Sequence, residues 1–296
     1  MCIRDRETPQ IAIIGAGAVG TTLAVALHQR NCRIVGIASR TERSAHRCGA
    51  LVNCAFCSTD PVEVAKAAEV IFISTPDRVI KQVCDHIAAA GGIQKGDIVI
   101  HLSGALGSDI LASAKRKGAY VLALHPVQTF PRGQISTEAL SGCYFSLEGD
   151  KEALKFGQGL VEELGGEPVI ISPESKPLYH AALCTASNYL VTITDLAVQM
   201  LEKVGIDKKD ALKMIMPLIW GTVRNLEAVG LPGALTGPVS RGDLQTLKGH
   251  LGTIQRLLPQ YLEVYRKLGN LTAEVARRAG TLKEEEYLKL KALLAP

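Results

Sequence analysis

Apolar residues in the first half of the chain form short continuous runs that alternate with segments of helical spacing. After the run 69–74, for example, Val79, Ile80, Val83 and Ile87 recur at the spacing of one helix face. Short apolar runs predict buried strands, and strands that alternate with helices predict a mainly parallel, doubly wound α/β sheet. Beyond the run that opens at Ile11, the predicted strands are Arg33–Ala38, Glu69–Ser74, Asp97–Leu102, Tyr120–Leu124, Cys143–Leu147 and Pro168–Ile171.

The pattern changes after Ser172, where strand-like runs give way to helical periodicity that continues to residue 296. The predicted helices are Glu174–Val204, Lys208–Val229, Ser240–Leu258, Pro259–Ala279 and Lys283–Leu294. The sequence therefore predicts an α/β domain over residues 9–172 and an all-helical second domain over residues 173–296. The first of these helices is too long for a small domain to bury alone, which predicts a homodimer through the helical domain.

The run that opens at Ile11 ends in a G-x-G-x-x-G pattern, GAGAVG at residues 15–20, which leads into the helical stretch Thr21–Arg30. In such a strand–turn–helix, the first Gly makes the tight turn, the second lets the backbone approach pyrophosphate, and the third lets the helix pack on the strand. The helix N-terminus then favours the bound anion. The pattern and its context predict a dinucleotide-binding Rossmann domain, with these cofactor-binding residues: Gly15, Ala16, Gly17, Ala18, Val19 and Gly20.

The residues after the second strand indicate which dinucleotide is bound. Sites that prefer NAD usually place Asp or Glu here for the ribose 2′-hydroxyl, whereas Arg accommodates the 2′-phosphate of NADP. This strand is followed by Ser39 and Arg40, with Arg43 close by, and the first acid is Glu42. The pattern favours NADP, with Ser39, Arg40 and Arg43 as cofactor contacts; the alternative is that Arg40 is a solvated surface residue.

Polar residues follow the later strands at the same edge of the predicted sheet, where ligands of doubly wound folds bind. We expect Thr75 to cap the next helix, with Pro76 at its first position and Asp77 in its first turn. The cofactor-binding residues predicted at this edge are Thr75, Pro76, Asp77, Ser103 and Gly104.

Composition narrows the class of protein. Apolar residues make up 47% and charged residues 21%, which is typical of an ordinary globular chain, and the net charge of +4 is scattered. We therefore expect a small-molecule substrate and neither nucleic acid nor a membrane as a partner. Arg4 and Arg6 before an apolar stretch superficially resemble a secretory signal, but the glycine pattern places that stretch in the core. Residues 1–8 match nothing in the fold. Because no apolar run reaches the length needed to span a bilayer, the location expected is cytoplasmic.

The chain has eight cysteines, which are expected to be free thiols rather than a disulfide framework. His46, Cys48, Cys54 and Cys57 include one C-x-x-C, a spacing that can hold zinc or a redox disulfide. Because no second C-x-x-C accompanies it, we predict no metal site. A thiol or zinc redox role for Cys54 and Cys57 is the alternative.

The order of motifs along the chain, GAGAVG, ASR, STPD, HLSGA, LHPVQTF, YHAALCTASNYL and GPVSRGD, resembles a family of oxidoreductases with a Rossmann-like domain and a helical domain of unknown function. That family is similar in layout to the 6-phosphogluconate dehydrogenase superfamily, including 3-hydroxyisobutyrate dehydrogenase, ketopantoate reductase and pyrroline-5-carboxylate reductase. The resemblance runs from Gln10 onward and implies the fold and the reaction type, but not the substrate.

In the hydroxyacid enzymes of that superfamily, the first helix of the second domain presents a Lys and, four residues on, an Asn. This sequence has Asn188, but Cys184 occupies the Lys position. Reading back by fours gives a polar stripe through His180 and Lys176, which drifts about 40° per step around a helix. His180 is the best-placed imidazole for proton donation near neutrality, and His125, at the end of a strand, is the rival.

A second polar cluster, residues 236–243, lies between two predicted helices. Arg241 could clamp a substrate carboxylate with two hydrogen bonds, and by resemblance the cluster would close over the nicotinamide end of the cleft. Alternatively this is a helix start, in which Ser240 and Asp243 cap and Arg241 pairs with Asp243.

These observations predict an NADP-dependent oxidoreductase that transfers a hydride between nicotinamide and a carbonyl or imine carbon of a small, carboxylate-bearing substrate. The predicted catalytic residues are His180, Asn188, His125 and Arg241. Since the usual Lys is missing, a non-catalytic NADP-binding sensor or regulatory protein is the alternative.

Overall fold

A computed structural model describes residues 9–131 and 133–295. Residues 1–8, to which the sequence assigns no part of the fold, lie outside this range. The described chain divides into two compact units, of which the first ends at Ala186 and the second begins at Ser187. The domain boundary predicted from the sequence lies earlier, after residue 172.

The first unit is built on one eight-stranded sheet with the order β3-β2-β1-β4-β5-β6-β7-β8. The strands are β1 Gln10–Ile14, β2 Arg33–Ala38, β3 Cys57–Ser58, β4 Val70–Ile73, β5 Ile98–His101, β6 Tyr120–Pro126, β7 Tyr144–Gly149 and β8 Glu167–Ile170. Neighbouring strands are parallel except β6 and β7, which pair antiparallel. The prediction of a mainly parallel, doubly wound sheet is confirmed.

Helices cover both faces of this sheet. They are α1 Ala18–Gln29, α2 Glu42–Leu51, α3 Pro61–Lys66, α4 Asp77–Ala89, α5 Ala112–Arg116 and α6 Lys151–Glu163. The unit ends with α7 Lys176–Ala186, in which Lys176 is the one buried residue. Successive residues of a strand point to opposite faces, and two separate apolar cores follow from this alternation. In β6, for instance, Leu122 and Leu124 join one core and Val121 joins the other.

On the face to which Val121 points, the side chains are apolar at one end of the strands and polar at the other end. The register pairs His101 of β5 with Ala123 of β6, and Ala123 with Glu148 of β7. In the next row on the same face, His125 of β6 pairs with Ser146 of β7. Paired residues share a face, so the register places His101, Glu148, His125 and Ser146 on one side of the sheet. We call these four residues the polar layer.

The second unit is entirely helical over its described residues, as the sequence predicts. Its helices are α8 Asn188–Lys203, α9 Lys208–Val229, α10 Leu244–Leu257, α11 Leu262–Arg278 and α12 Glu284–Leu293. The unit's apolar core is formed by α10, α11 and α12 with the segments beside them, and it includes Leu247, Ala273 and Leu290. In α8 and α9, by contrast, only Val198 and Ala211 are buried.

The prediction of a single helix over Glu174–Val204 is wrong, because the structure has two helices there, α7 and α8, separated at Ser187. Just before the break, the hydroxyl of Thr185 donates to the carbonyl of Ala181 at 2.8 Å. The same kind of hydrogen bond, from Thr192 to the carbonyl of Asn188, lies within the uninterrupted helix α8, so it does not by itself account for the break.

The helical segment Pro173–Lys203 has a mean hydropathy of 1.3 in its most apolar window, of which 6% is buried. By length and composition alone it is the one helix in the described residues that could cross a membrane.

Candidate active site

The glycine turn between β1 and α1 has the geometry that the pattern predicts. Gly15 has a φ of 116°, which favours glycine, and a β-carbon there would lie 2.8 Å from the backbone of Ser74. A β-carbon at Gly20 would collide with the Gly15 carbonyl and the Ser74 hydroxyl. Beside Gly17, the N-cap of α1, there is open space. The first and third glycines therefore hold the turn, while the second leaves backbone free for a ligand.

The remaining residues of the turn are placed by the start of α1. Ala16 is buried, Ala18 is the first residue of the helix, and Val19 lines a small apolar cavity beside Leu23. Because α1 begins without a side-chain cap and without an acidic residue in its first turn, its free N–H groups and positive end suit an anion.

Ser39 and Arg40 follow β2 at the edge of the sheet where the glycine turn lies. The amide of Ser39 donates to the carbonyl of Ser58, whereas Arg40 and Arg43 are exposed. Neither guanidinium forms an ion pair with any described residue. Thr41 between them caps α2 by accepting from Ser44, which fixes the start of that helix.

The loop after β4 differs from its predicted capping. The N-cap of α4 is Pro76, and no side chain caps the helix, so the expectation that Thr75 caps it is wrong. Proline fixes the turn by its own φ, and the Thr75 hydroxyl is left buried without a partner in the described residues. Asp77 begins the helix and accepts a hydrogen bond of 2.7 Å from the Ser103 hydroxyl. This bond ties the loops after β4 and β5 together.

His101 is fully buried at the end of β5, and its two partners define its protonation. Its Nδ1 accepts from the amide of Ser103 at 3.1 Å, and its Nε2 lies 3.0 Å from the carbonyl of Gly107. An amide only donates and a carbonyl only accepts, so the ring carries its proton on Nε2 and is neutral. Burial lowers the pKa of His101 to about 4. This histidine shapes the loop that carries Ser103 and Gly104.

His125 and His180, the two predicted proton donors, meet beside Gly104. Their ring centroids are 6.4 Å apart. A β-carbon at Gly104 would lie 2.8 Å from Nε2 of His125 and 2.9 Å from Cδ2 of His180. Gly104 is therefore required where the two imidazoles approach the loop after β5, and the structure brings the rival donors into one site.

Their surroundings differ. His125 Nδ1 lies 2.9 Å from the hydroxyl of Tyr179. Burial, and then the charge of Lys176, lowers the pKa of His125 to about 4, so its ring is neutral near pH 7. His180 is half-buried on α7, and its Nδ1 lies 3.7 Å from Sγ of Cys184. The stripe predicted on one helix therefore reaches from Lys176 through His180 to Cys184, and the break at Ser187 separates Asn188 from it.

Sequence reasoning missed the buried Glu148 of the polar layer, and it named Lys176 in a polar stripe without predicting its burial. Glu148 is 6% exposed and accepts at 2.7 Å from both the amide and the hydroxyl of Ser108. Lys176 is 1% exposed, and its Nζ has no partner in the described part of the chain. The signal for Glu148 and His101 was available, since each polar residue interrupts an otherwise apolar strand. The burial of Lys176 depends on how α7 packs, which no local pattern shows.

Asn188 and Arg241 lie in the second unit. Asn188 is the exposed first residue of α8. Arg241 is exposed in the turn before α10, where Asp243 is the N-cap and accepts from the amide of Thr246 at 3.0 Å. The hydroxyl of Ser240 donates to the carbonyl of Gly237. Asp243 therefore caps the helix, as one of the two alternatives for this cluster expects, but Ser240 does not cap it, and Arg241 is exposed and forms no ion pair with any described residue.

The two thiols of the C-x-x-C, Cys54 and Cys57, donate weak hydrogen bonds to nearby backbone carbonyls. Cys54 Sγ donates to the carbonyl of Phe56, and Cys57 Sγ donates to the carbonyl of Cys54, both at 3.5 Å. Burial raises the pKa of Cys48, Cys54 and Cys57, which disfavours the thiolate that redox or zinc chemistry needs. Within residues 9–131 and 133–295, no three His, Cys, Asp or Glu side chains form a metal-binding group.

Comparisons with known proteins agree with this architecture. Residues 4–126 match the Rossmann-like domain, and residues 143–272 match DUF2520, a domain of unknown function. The predicted combination of a Rossmann-like domain and a domain of unknown function is confirmed. A comparison with curated proteins finds no significant match.

Solved structures share the fold across nearly the whole chain. Protein TM1727 from Thermotoga maritima is 26% identical, with a TM-score of 0.73, over 91% of this chain and 99% of that one. A candidate NADP oxidoreductase from Bacteroides fragilis, BF3122, is 24% identical, with a TM-score of 0.72, over 90% and 98%. The NADP-bound pyrroline carboxylate reductase of Plasmodium falciparum is 13% identical, with a TM-score of 0.55, over 98% and 99%.

Proposed function

We propose that this chain, a Rossmann-like domain followed by DUF2520, is an NADP-dependent oxidoreductase. It transfers a hydride between nicotinamide and a carbonyl or imine carbon of a small, carboxylate-bearing substrate. The observation that carries the proposal is the meeting of His125 and His180 at Gly104, on the loop after β5. This loop lies at the carboxyl edge of the sheet, as does the glycine turn after β1, where doubly wound folds bind their ligands.

The residues at this edge fit the dinucleotide. Open space beside Gly17 and the free N-terminus of α1 suit the pyrophosphate, while exposed Arg40 and Arg43 suit the 2′-phosphate of NADP. The neighbours from B. fragilis and P. falciparum carry NADP in their descriptions, which supports the same cofactor here. When bound, NADPH supplies the hydride.

The protein's own contribution is a proton and orientation. With a pKa of about 4, His125 is neutral at pH 7 and holds almost no imidazolium to donate. We therefore assign proton donation to His180 and a hydrogen-bonding role to neutral His125, which Tyr179 orients through Nδ1. The roles expected from the sequence for Asn188, which would hold the reacting group, and for Arg241 stay predictions, because both residues lie in the second unit.

Replacing each histidine by alanine tests the assignment. A reducible substrate is first found by screening carbonyl and imine compounds. His180→Ala should keep the parent's affinity for NADPH, because the first domain holds the cofactor. Its turnover of that substrate should fall by about 10²- to 10⁴-fold. His125→Ala is the matched comparison and should lose less. Normal turnover in His180→Ala with a dead His125→Ala would move the role to His125. If neither change matters and no compound is reduced, the NADP-binding sensor is favoured.

Two further parts of the proposal concern assembly and location. The apolar surface of α8 and α9, which includes Val191, Met214, Leu218 and Trp220, is exposed in one chain, so we propose that a second copy covers it in a homodimer. We propose a cytoplasmic location, with neither nucleic acid nor membrane as a partner.

A further inference from the structure

Lys176 is the most unusual charged residue in the first unit. Its side chain is 1% exposed, and no described residue offers its Nζ a hydrogen bond. A lysine ammonium carries three donors and is strongly hydrated, so burial without an acceptor is costly. A residue of this kind is expected either to be neutral or to await an acceptor from a ligand.

The groups that face Lys176 come from four elements. The charges of Glu148 on β7 and Asp77 on α4 raise the pKa of Lys176 against the larger lowering effect of burial. The charge of Lys176 in turn lowers the pKa of His101 on β5 and His125 on β6. These two carboxylates and two imidazoles are therefore the ionisable groups whose pKa values are coupled to the charge of Lys176, or whose charges act on its amine.

Each of these neighbours already has other partners. Both oxygens of Glu148 accept from Ser108, and Oδ2 of Asp77 accepts from Ser103. Both ring nitrogens of His101 are engaged, and Nδ1 of His125 faces Tyr179. The surroundings thus provide negative charge for a lysine without providing it a direct acceptor.

We infer that Lys176 is a substrate-binding residue whose Nζ receives a carboxylate oxygen of the small-molecule substrate. The assignment rests on the proposed function, in that it places the substrate beside the two histidines. Lys176 lies four residues before His180 on α7, so one helix presents both the anchoring cation and the proton donor. A singly charged carboxylate suits this position better than a phosphate dianion, because Glu148 and Asp77 repel a second negative charge.

The first test uses the parent protein and acetate as the probe. Lysine labelled with ¹³C at Cε is titrated by NMR in potassium acetate, potassium phosphate or potassium chloride at equal ionic strength. Acetate should raise the pKa of Lys176 and shift its signal, while phosphate and chloride should leave both unchanged. Acetate binding should weaken as pH rises through the pKa of Lys176, because the neutral amine attracts no anion. A Lys176 signal that ignores acetate overturns the assignment, and an equal response to phosphate overturns the choice of carboxylate.

The second test compares Lys176→Met with Lys155→Met, an exposed lysine on α6. Acetate should raise the unfolding temperature of the parent and of Lys155→Met. In Lys176→Met, the acetate concentration that gives half of this rise should be at least about tenfold higher. Without acetate, Lys176→Met should be at least as stable as the parent, because a buried unpartnered amine is removed. If instead it is strongly destabilised while Lys155→Met is not, Lys176 is a structural ion-pair partner and the inference is wrong.

Neither test needs hydride transfer. An acetate response in a protein that reduces no substrate counts against the proposed function alone, whereas turnover without an acetate response counts against Lys176 alone.

Discussion

Gly17→Ala separates binding of the dinucleotide from stability of the fold. Gly17 has a φ of −80° and a ψ of −171°, an extended conformation that alanine adopts without strain, and an added β-carbon meets no atom within 4 Å. Alanine is a poorer N-cap than glycine, but it also lowers the entropy of the unfolded chain. These opposing effects should leave the free energy of unfolding within about 0.5 kcal/mol of the parent.

The same methyl group projects into the space where we place the pyrophosphate. Overpacking of a close contact costs about 1–3 kcal/mol, so the affinity for NADPH should fall roughly 5- to 150-fold. Gly20→Ala is the matched control, because its β-carbon would strike the Gly15 carbonyl and the Ser74 hydroxyl inside the fold. This variant should lose about 1–3 kcal/mol of stability.

The assay has two arms. NADPH affinity is measured by fluorescence titration, and stability is measured by urea unfolding without cofactor. If Gly17→Ala binds NADPH as tightly as the parent, the backbone of the turn does not approach the pyrophosphate, and the placement of the cofactor at this turn is refuted. If Gly17→Ala is destabilised as much as Gly20→Ala, the space beside Gly17 is not open.

Three other predictions concern selectivity, pH and assembly. Arg40→Ala should weaken the binding of NADPH by roughly 1.5–3 kcal/mol and leave the binding of NADH nearly unchanged, with Arg47→Ala as the control. Equal affinities for NADPH and NADH in the parent would contradict this prediction. Because burial lowers the pKa of His101 to about 4 in the folded state, against about 6.5 when unfolded, the unfolded chain binds more protons between these values, and stability is lost as pH falls through this window. His101 should account for about 3 kcal/mol of this loss, and His125, whose pKa is lowered as far, for about as much. Urea unfolding across this range should show that His101→Gln, but not His46→Gln, removes about half of the dependence. Light scattering at micromolar concentration should show a homodimer that Leu218→Arg dissociates and Leu271→Arg does not; a monomeric parent would contradict the proposed interface.

Local sequence determined much of the first unit, because the information is carried by neighbouring residues. The glycines at 15, 17 and 20 have the conformations and clearances that the pattern assigns to each of them. Apolar runs located seven of the eight strands in the described residues to within a few residues, since a strand buried on both faces must be apolar throughout. The two-residue β3, Cys57–Ser58, carries no such run and was missed. Helical periodicity likewise located most helices of the second unit.

Tertiary structure decided what depends on distant residues. The sequence left His125 and His180 as rivals, and only the packing of α7 brings both to Gly104, where burial keeps His125 neutral. The Thr75 cap and the unbroken helix through Ser187 were wrong, because Pro76 is the N-cap of α4 and the helix is interrupted at Ser187. Glu148 and Asp77, the charged groups coupled to buried Lys176, are far away in sequence, and a lysine is exposed by default, so its burial could not be predicted locally.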